Sequence, residues 1–320
     1  MQRVAIVGNT SWGNTIAALV ARAGNDATLV TRSEEETRVL AASNPTYHPT
    51  HYIAEAVSGV RYVVWVVPSQ TMRRNATELR GRFDPGVCHV SAAKGLEAHS
   101  GERMTQVLQS VLTDDSIRGV CALSGPNLAA EISRGLPAAA VVACADVALA
   151  REVQGLFSSE RFVTVTSDDI VGVELAGALK NVVALGAGMM DGLSLGDNAK
   201  AAFIAFTWSE VISIGVALGA RESTFYGLAG FGDVVATCVS DLSRNHHVGY
   251  EVARGRSLDD VLGTMHHVAE GVHTARAVNE LVRRMGLDAP VTKSICRVLF
   301  EGSPVTREVV RFTGQVQRAR

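Results

Sequence analysis

The sequence predicts two fold classes in one chain: an α/β half on a doubly wound, mostly parallel sheet, then an all-helical half. Three observations carry this. Short β-branched runs alternate with helical patterns up to about residue 167 and then stop. Several of those runs are continuously apolar, as strands covered on both faces are. The stretches beyond are long and rich in Ala, Gly and Leu. The expected strands are 3–7, 27–31, 61–67, 87–91, 119–123, 138–144 and 161–165, with helical spacing over 12–23, 34–42, 69–81 and 102–112. This alternation implies right-handed crossovers. Further helices are expected over 169–190, 198–218, 222–226, 231–239, 243–254, 258–262, 270–285 and 290–301. Ser167-Asp168-Asp169 offers a polar N-cap and an acidic first turn, so the boundary divides 1–167 from 168–320. The basic residues Arg311, Arg318 and Arg320 read as a solvated, frayed end.

Composition narrows the function. Thirty Lys+Arg against 32 Asp+Glu leave a net charge of -2, which gives no electrostatic reason to bind nucleic acid or an anionic membrane. A small-molecule partner is expected. The five cysteines, Cys88, Cys121, Cys144, Cys238 and Cys296, have no CxxC spacing and read as reduced thiols. Met1-Gln2-Arg3 runs straight into an apolar strand too short for a signal-peptide core, and the longest uninterrupted apolar stretch, near 136–145, is too short to span a bilayer. A cytoplasmic location without membrane insertion is expected. The apolar helical half is compatible with a homodimer, although a buried domain core reads the same way.

The strand at 3–7 leads into Gly8-Asn9-Thr10-Ser11-Trp12-Gly13 and then a helix. In a Rossmann-like fold this unit sets a dinucleotide pyrophosphate against the helix N-terminus, where backbone N–H groups and the helix dipole favour an anion. The pattern is G-x-T-x-x-G, and the middle position normally lets backbone touch the pyrophosphate. With Thr10 there, either the cofactor sits farther out, with the Thr10 hydroxyl donating to a phosphate, or nucleotide binding is weaker. After the second strand, where an acid usually holds the adenosine ribose of NAD, stands Arg32. A guanidinium there pairs with a 2′-phosphate, so NADP is favoured or tolerated; Glu34, Glu35 and Glu36 close by keep NAD open.

Nine segments in order resemble the bacterial-type NAD(P)-dependent sn-glycerol-3-phosphate dehydrogenases over almost the whole chain. They are Ser11-Trp12-Gly13, Val67-Pro68-Ser69, Ser91-Ala92-Ala93-Lys94-Gly95-Leu96-Glu97, Leu123-Ser124-Gly125-Pro126 with Ala129-Ala130-Glu131, Gly177-Ala178-Leu179-Lys180-Asn181, Asp191-Gly192 through Gly196-Asp197-Asn198-Ala199, Gly230-Phe231-Gly232-Asp233, Ser243-Arg244-Asn245 and Glu270-Gly271-Val272. The resemblance implies reversible hydride transfer between NAD(P)H and dihydroxyacetone phosphate, giving sn-glycerol 3-phosphate for glycerophospholipids.

Ketone reduction needs a proton donor where negative charge develops on oxygen. Lys180, in an apolar, small-residue helix, should be partly desolvated with a lowered pKa, and the family match makes it the catalytic acid/base. Lys94 follows a strand at its carboxyl end, where open sheets bind ligands, and by resemblance orients substrate near the nicotinamide. Gly125 and Asn127 match the substrate loop, with a helix opening at Asn127; relatives usually carry Ser or Thr at that position. Asp233 reads either as an N-cap or, by the match, as a substrate-site carboxylate or a partner for Lys180. Arg244, beside a helix start, is the expected phosphate clamp with Asn245 next to it. By resemblance Gly8, Thr10, Ser11, Trp12, Gly13, Arg32, Lys94, Ala129, Ser243, Arg244, Val268 and Glu270 lie along the cofactor.

No metal is expected. The pairs His246-His247 and His266-His267 lack the i,i+3 or i,i+4 spacing of ligands on one helix face, and read as surface or capping residues. Met189-Met190 reads as core. No G-x-S-x-G supports a hydrolase. Two alternatives remain at this point: another lysine-using hydroxyacid or sugar-acid dehydrogenase, and a non-catalytic paralogue that binds nucleotide or triose phosphate.

Overall fold

The computed structural model describes residues 1–43, 46–113, 117–265 and 268–318, and the chain divides into two compact units. The first is Met1–Lys94 with Arg103–Glu174; the second is Gly95–Glu102 with Leu175–Arg320.

In the first unit the order is β1 (Arg3–Val7), α1 (Ser11–Arg22), β2 (Asp26–Val30), α2 (Glu34–Ser43), β3 (His48–Thr50), α3 (Ile53–Val57), β4 (Tyr62–Trp65), α4 (Met72–Leu79), β5 (Cys88–Ser91), α5 (Met104–Val111), β6 (Gly119–Ser124), α6 (Ala129–Ser133), β7 (Ala138–Ala143), α7 (Val147–Gln154) and β8 (Phe162–Ser167). The strands form one sheet ordered β3-β2-β1-β4-β5-β6-β7-β8, parallel except where β7 runs antiparallel to β6. The order reverses at β1, which pairs with both β2 and β4; in open α/β sheets ligands bind at the carboxyl ends flanking such a point.

Side-chain alternation explains the double winding. Val4, Ile6 and Val64 pack on one face with Ile16 and Val20 of α1, Ile132 of α6 and Val153 of α7. Ala5, Val63 and Trp65 pack on the other with Val57 of α3, Met72 and Ala76 of α4 and Leu108 of α5. Edge strand β8 leaves Val163 and Val165 exposed. The sequence pattern did not indicate β3, α3 and α7; the first two are only three and five residues long, too short for periodicity to register.

The long helix α8 (Ile170–Gly192) starts in the first unit and supplies the first helix of the second. Its start is capped as the sequence suggests, the Asp169 carboxylate accepting the Gly172 N–H at 2.9 Å. Then come α9 (Gly196–Ala217), a 3-10 turn (Glu222–Tyr226), a π turn (Leu228–Gly232), α10 (Asp233–Val239), α11 (Arg244–Ala253), α12 (Leu258–Gly263), α13 (Glu270–Met285), α14 (Pro290–Glu301) and α15 (Val305–Arg318). The frayed-end expectation is corrected: Arg311 lies in α15 and its guanidinium reaches Glu308 at 2.8 Å, while Arg320 lies outside the described residues.

Backbone contact fixes one helix pair. A Cβ at Gly188 would lie 2.0 Å from the His246 carbonyl oxygen, and one at Gly249 would lie 1.9 Å from that of Leu185, so α8 and α11 touch main chain to main chain. Met189 and Met190 are core, as expected. Helices α8 and α9 are long and apolar enough to cross a membrane, although neither is an uninterrupted apolar run; the apolar window of α8 is 83% buried inside the protein, as a core helix is, and that of α9 33%.

Candidate active site

The glycine loop of the first unit is folded around its own backbone. Gly8 has φ +125°, a conformation only glycine adopts easily, and a Cβ there would lie 2.8 Å from the Val66 carbonyl carbon. At Gly13 a Cβ would lie 2.0 Å from the Gly8 carbonyl oxygen. Thr10 is the N-cap of α1: its Oγ1 accepts the Gly13 N–H at 2.9 Å and donates to the Val66 carbonyl at 3.2 Å. In this arrangement the hydroxyl proton is directed to Val66, and Thr10 acts as a cap. Ser11 and Trp12 open the helix, where first-turn N–H groups lack intrahelical acceptors and the dipole favours an anion. The Trp12 indole donates to the Ala92 carbonyl at 3.2 Å, tying the loop to the segment after β5. These residues fit a dinucleotide pyrophosphate: the cradle is closed to side chains at both glycines and its amides belong to a helix N-terminus.

Arg32 is exposed just beyond β2. Its N–H donates to Glu36 Oε2 at 3.0 Å, and that bond, with a second from Asn9, holds the Glu36 carboxyl below the usual carboxylate range.

At the carboxyl ends of β5 and β6, Lys94 donates to the Gly125 carbonyl at 2.7 Å. Gly125 has φ +151°, and a Cβ there would lie 2.8 Å from Ala140 Cα. Asn127 donates to the Ala139 carbonyl at 3.1 Å, while its Oδ1 is buried without a partner among the described residues, as are Ser91 Oγ and Ser124 Oγ. The helix expected from Asn127 starts at Ala129 instead, because Asn127 is drawn to β7 and Leu128 stays extended (φ -83°, ψ 105°).

In the second unit, Lys180 is buried at 6% exposure and Asp233 at 1%. Lys180 Nζ donates to Asp233 Oδ1 at 2.6 Å and to Thr237 Oγ1 at 2.5 Å, and Thr237 donates to the same Asp233 oxygen at 3.1 Å. One turn of α10 separates Asp233 from Thr237, so both reach the same ammonium from one helix face. Asp233 is not the N-cap of α10, a place Gly232 takes; its carboxylate holds Lys180, one of the roles the family match implies. Ser243 caps α11, its Oγ accepting the His246 N–H at 3.2 Å, which sets Arg244 in the first turn. The side chain of Arg244 reaches solvent, yet loss of hydration to the surrounding protein lowers its pKa, opposed by Glu270. Asn245 bridges inward: it donates to Asn181 Oδ1 at 2.9 Å and accepts the Gly271 N–H at 2.9 Å, joining α8, α11 and the start of α13. Glu270 opens α13, and Val268 is 40% exposed two residues earlier.

Two participants escaped sequence reasoning. Thr237 carries no motif; only the i,i+4 spacing from Asp233 could have pointed to it. His246, expected at the surface, is buried with Nε2 2.7 Å from Asp191 Oδ2, and Lys200 holds the same oxygen at 3.0 Å. The reason is the close α8–α11 contact, which turns that side of α11 inward. His247 is exposed as expected, and His266-His267 lie outside the described residues. Among the described residues no cluster of three His, Cys, Asp or Glu could hold a metal.

A doubly wound sheet with a glycine cradle, followed by a helical unit with a buried lysine–carboxylate pair, defines a nicotinamide-dinucleotide-dependent dehydrogenase. Residues 3–150 match the N-terminal model, and 169–310 the C-terminal model, of NAD-dependent glycerol-3-phosphate dehydrogenase. The chain is 43% identical over 316 residues to glycerol-3-phosphate dehydrogenase (NAD(P)+) of Dehalococcoides mccartyi, covering 95% of this chain and 88% of that one. It is 41% identical over 323 residues to the Geobacter sulfurreducens protein of the same name, covering 97% and 96%. The crystal structure of glycerol-3-phosphate dehydrogenase from Coxiella burnetii superposes with a TM-score of 0.89 at 26% identity, covering 98% of each chain. The chain belongs to the NAD-dependent glycerol-3-phosphate dehydrogenase family.

Proposed function

We infer that the chain interconverts dihydroxyacetone phosphate and sn-glycerol 3-phosphate with NAD(P)H or NAD(P)+. The observation that carries this is the buried Lys180–Asp233–Thr237 cluster within a chain of this family. When bound, the dinucleotide exchanges the hydride. Every other task falls to the chain.

Lys180 gives a proton to the carbonyl oxygen during reduction and takes it back during oxidation. Asp233 holds the ammonium and balances its charge where water is excluded, and Thr237 fixes its direction. Arg244 takes the substrate phosphate with its planar guanidinium, in the first turn of α11. Asn245, locked between Asn181 and Gly271, positions that turn. In the first unit, Lys94, Gly125 and Asn127 form the substrate end of the sheet, while Gly8, Ser11, Trp12, Gly13 and Ala129 receive the dinucleotide.

The chain is further proposed to act in the cytoplasm as a homodimer. Five free, buried cysteines support a reducing compartment, and the apolar window of α9, only 33% buried within the chain, supports self-association. Light scattering that finds only monomer would remove the dimer.

Incubating folded protein with dihydroxyacetone phosphate and NADH or NADPH, and following nicotinamide absorbance, tests the activity. Oxidation of at least one is expected; oxidation of neither overturns the reading. Arg244→Lys should raise KM for dihydroxyacetone phosphate by about tenfold, because a point charge does not replace a two-pronged donor.

A further inference from the structure

We propose that Glu36 sets the preference between NAD and NADP, accepting hydrogen bonds from the adenosine ribose and opposing a 2′-phosphate. The proposal rests on the dinucleotide reading of the glycine loop. Its own ground is a departure from ordinary helix capping.

Ser33-Glu34-Glu35-Glu36 reads as a capping box, and Ser33 Oγ accepts the Glu36 N–H at 3.2 Å. In an ordinary box the glutamate carboxylate returns to the N–H of the cap residue itself. Here it reaches one residue farther, to the Arg32 N–H at 3.0 Å, and across to Asn9 Nδ2 at 2.9 Å in the glycine loop. Both bonds fall on Oε2. The orientation of Asn9 is fixed in turn, because its Oδ1 accepts from Asn14 Nδ2 at 2.9 Å and Asn14 Oδ1 accepts from the Tyr47 hydroxyl at 2.6 Å. A relay of three side chains therefore holds one carboxylate between the loop and the end of β2.

That is the place where an acid takes the adenosine ribose in this fold class, although the usual acid stands at the strand end itself. Here Arg32 holds the usual place and the acid arrives from the first turn of α2. Glu36 Oε1 has no protein partner among the described residues, which leaves an acceptor for a ribose hydroxyl. A 2′-phosphate would meet a like charge there. Arg32 pulls the other way, since its exposed guanidinium can pair with that phosphate. Glu36 is anchored by two bonds and Arg32 is not, so NAD is the preferred cofactor and NADP is tolerated.

Calorimetric binding of NAD+, NADP+ and adenosine 2′,5′-bisphosphate, without turnover, tests this on the wild type, Glu36→Gln and Arg32→Ala. The wild type is expected to bind NAD+ more tightly than NADP+. Glu36→Gln should shift the affinity ratio about tenfold towards NADP+ and tighten the bisphosphate, while Arg32→Ala shifts it the opposite way. A lower Tm of Glu36→Gln with an unchanged ratio would overturn the proposal and leave Glu36 as a capping residue. Wild type that prefers NADP+ overturns it as well. Folded wild type that binds neither dinucleotide would overturn the cofactor reading itself, a failure distinct from an unchanged ratio.

Discussion

The anion cradle at the start of α1 and the cation held by Asp233 are built from different parts of the chain. The cradle is main chain: Gly8, Gly13 and first-turn amides, all within six residues, with side chains excluded by contacts of 2.0–2.8 Å. The cation cluster is side chain: Lys180 meets groups 53 and 57 residues away, all buried. A main-chain site depends on the absence of atoms and fails when one is added. A side-chain site depends on particular groups and fails when one is exchanged, even with the fold intact.

Lys180→Arg is the sharpest break. It keeps a cation against Asp233 but removes a usable proton donor, because a guanidinium does not give up its proton. Turnover should fall on the order of a thousandfold, within the range a general acid contributes, while dinucleotide affinity measured by calorimetry stays unchanged. Equal turnover would mean that the cluster is structural. Gly13→Ala attacks the other site by adding one methyl where 2.0 Å is available. It should cost about 2 kcal/mol of stability and weaken dinucleotide binding, leaving the chemistry of bound molecules nearly untouched. Thr237→Val should lower kcat about tenfold and displace the pH profile of kcat, with Thr237→Ser restoring both, since the serine hydroxyl can again bridge Lys180 and Asp233. A stability loss without a displaced pH profile would reduce Thr237 to packing.

The contrast also explains what the sequence could disclose. The cradle was legible because a strand, a fixed glycine spacing and a helix are contiguous, and the sheet was legible because its strands are buried on both faces. Lys180 was legible as a lysine among small apolar residues, and the family match offered Asp233 as its partner, but Thr237 was not legible, since nothing local says which helix turn returns to the lysine. Asn245 shows the limit: its place beside Arg244 in the motif could be read locally, but not that its amide also joins Asn181 to Gly271. His246 was misplaced for the same reason, its burial being set by Gly188 on another helix.

The smallest expected effect is the most discriminating for the cradle. Thr10 stands where a third glycine would let backbone approach pyrophosphate, so a steric account requires Thr10→Gly to tighten dinucleotide binding. The structure points elsewhere. The Thr10 hydroxyl lies between the Gly13 N–H and the Val66 carbonyl, so the side chain is turned into the loop and caps α1. Thr10→Ala should therefore cost about 1 kcal/mol and Thr10→Gly only a few tenths, both read as a lower urea midpoint. The dissociation constant for NAD+ should stay within about twofold in either variant, a difference of under half a kilocalorie. Tightening well beyond that in Thr10→Gly would show that the methyl or hydroxyl does obstruct the pyrophosphate. An unchanged constant would mean that two glycines and a cap suffice to build the cradle, the threonine completing by hydrogen bonding the turn that a glycine would leave loose.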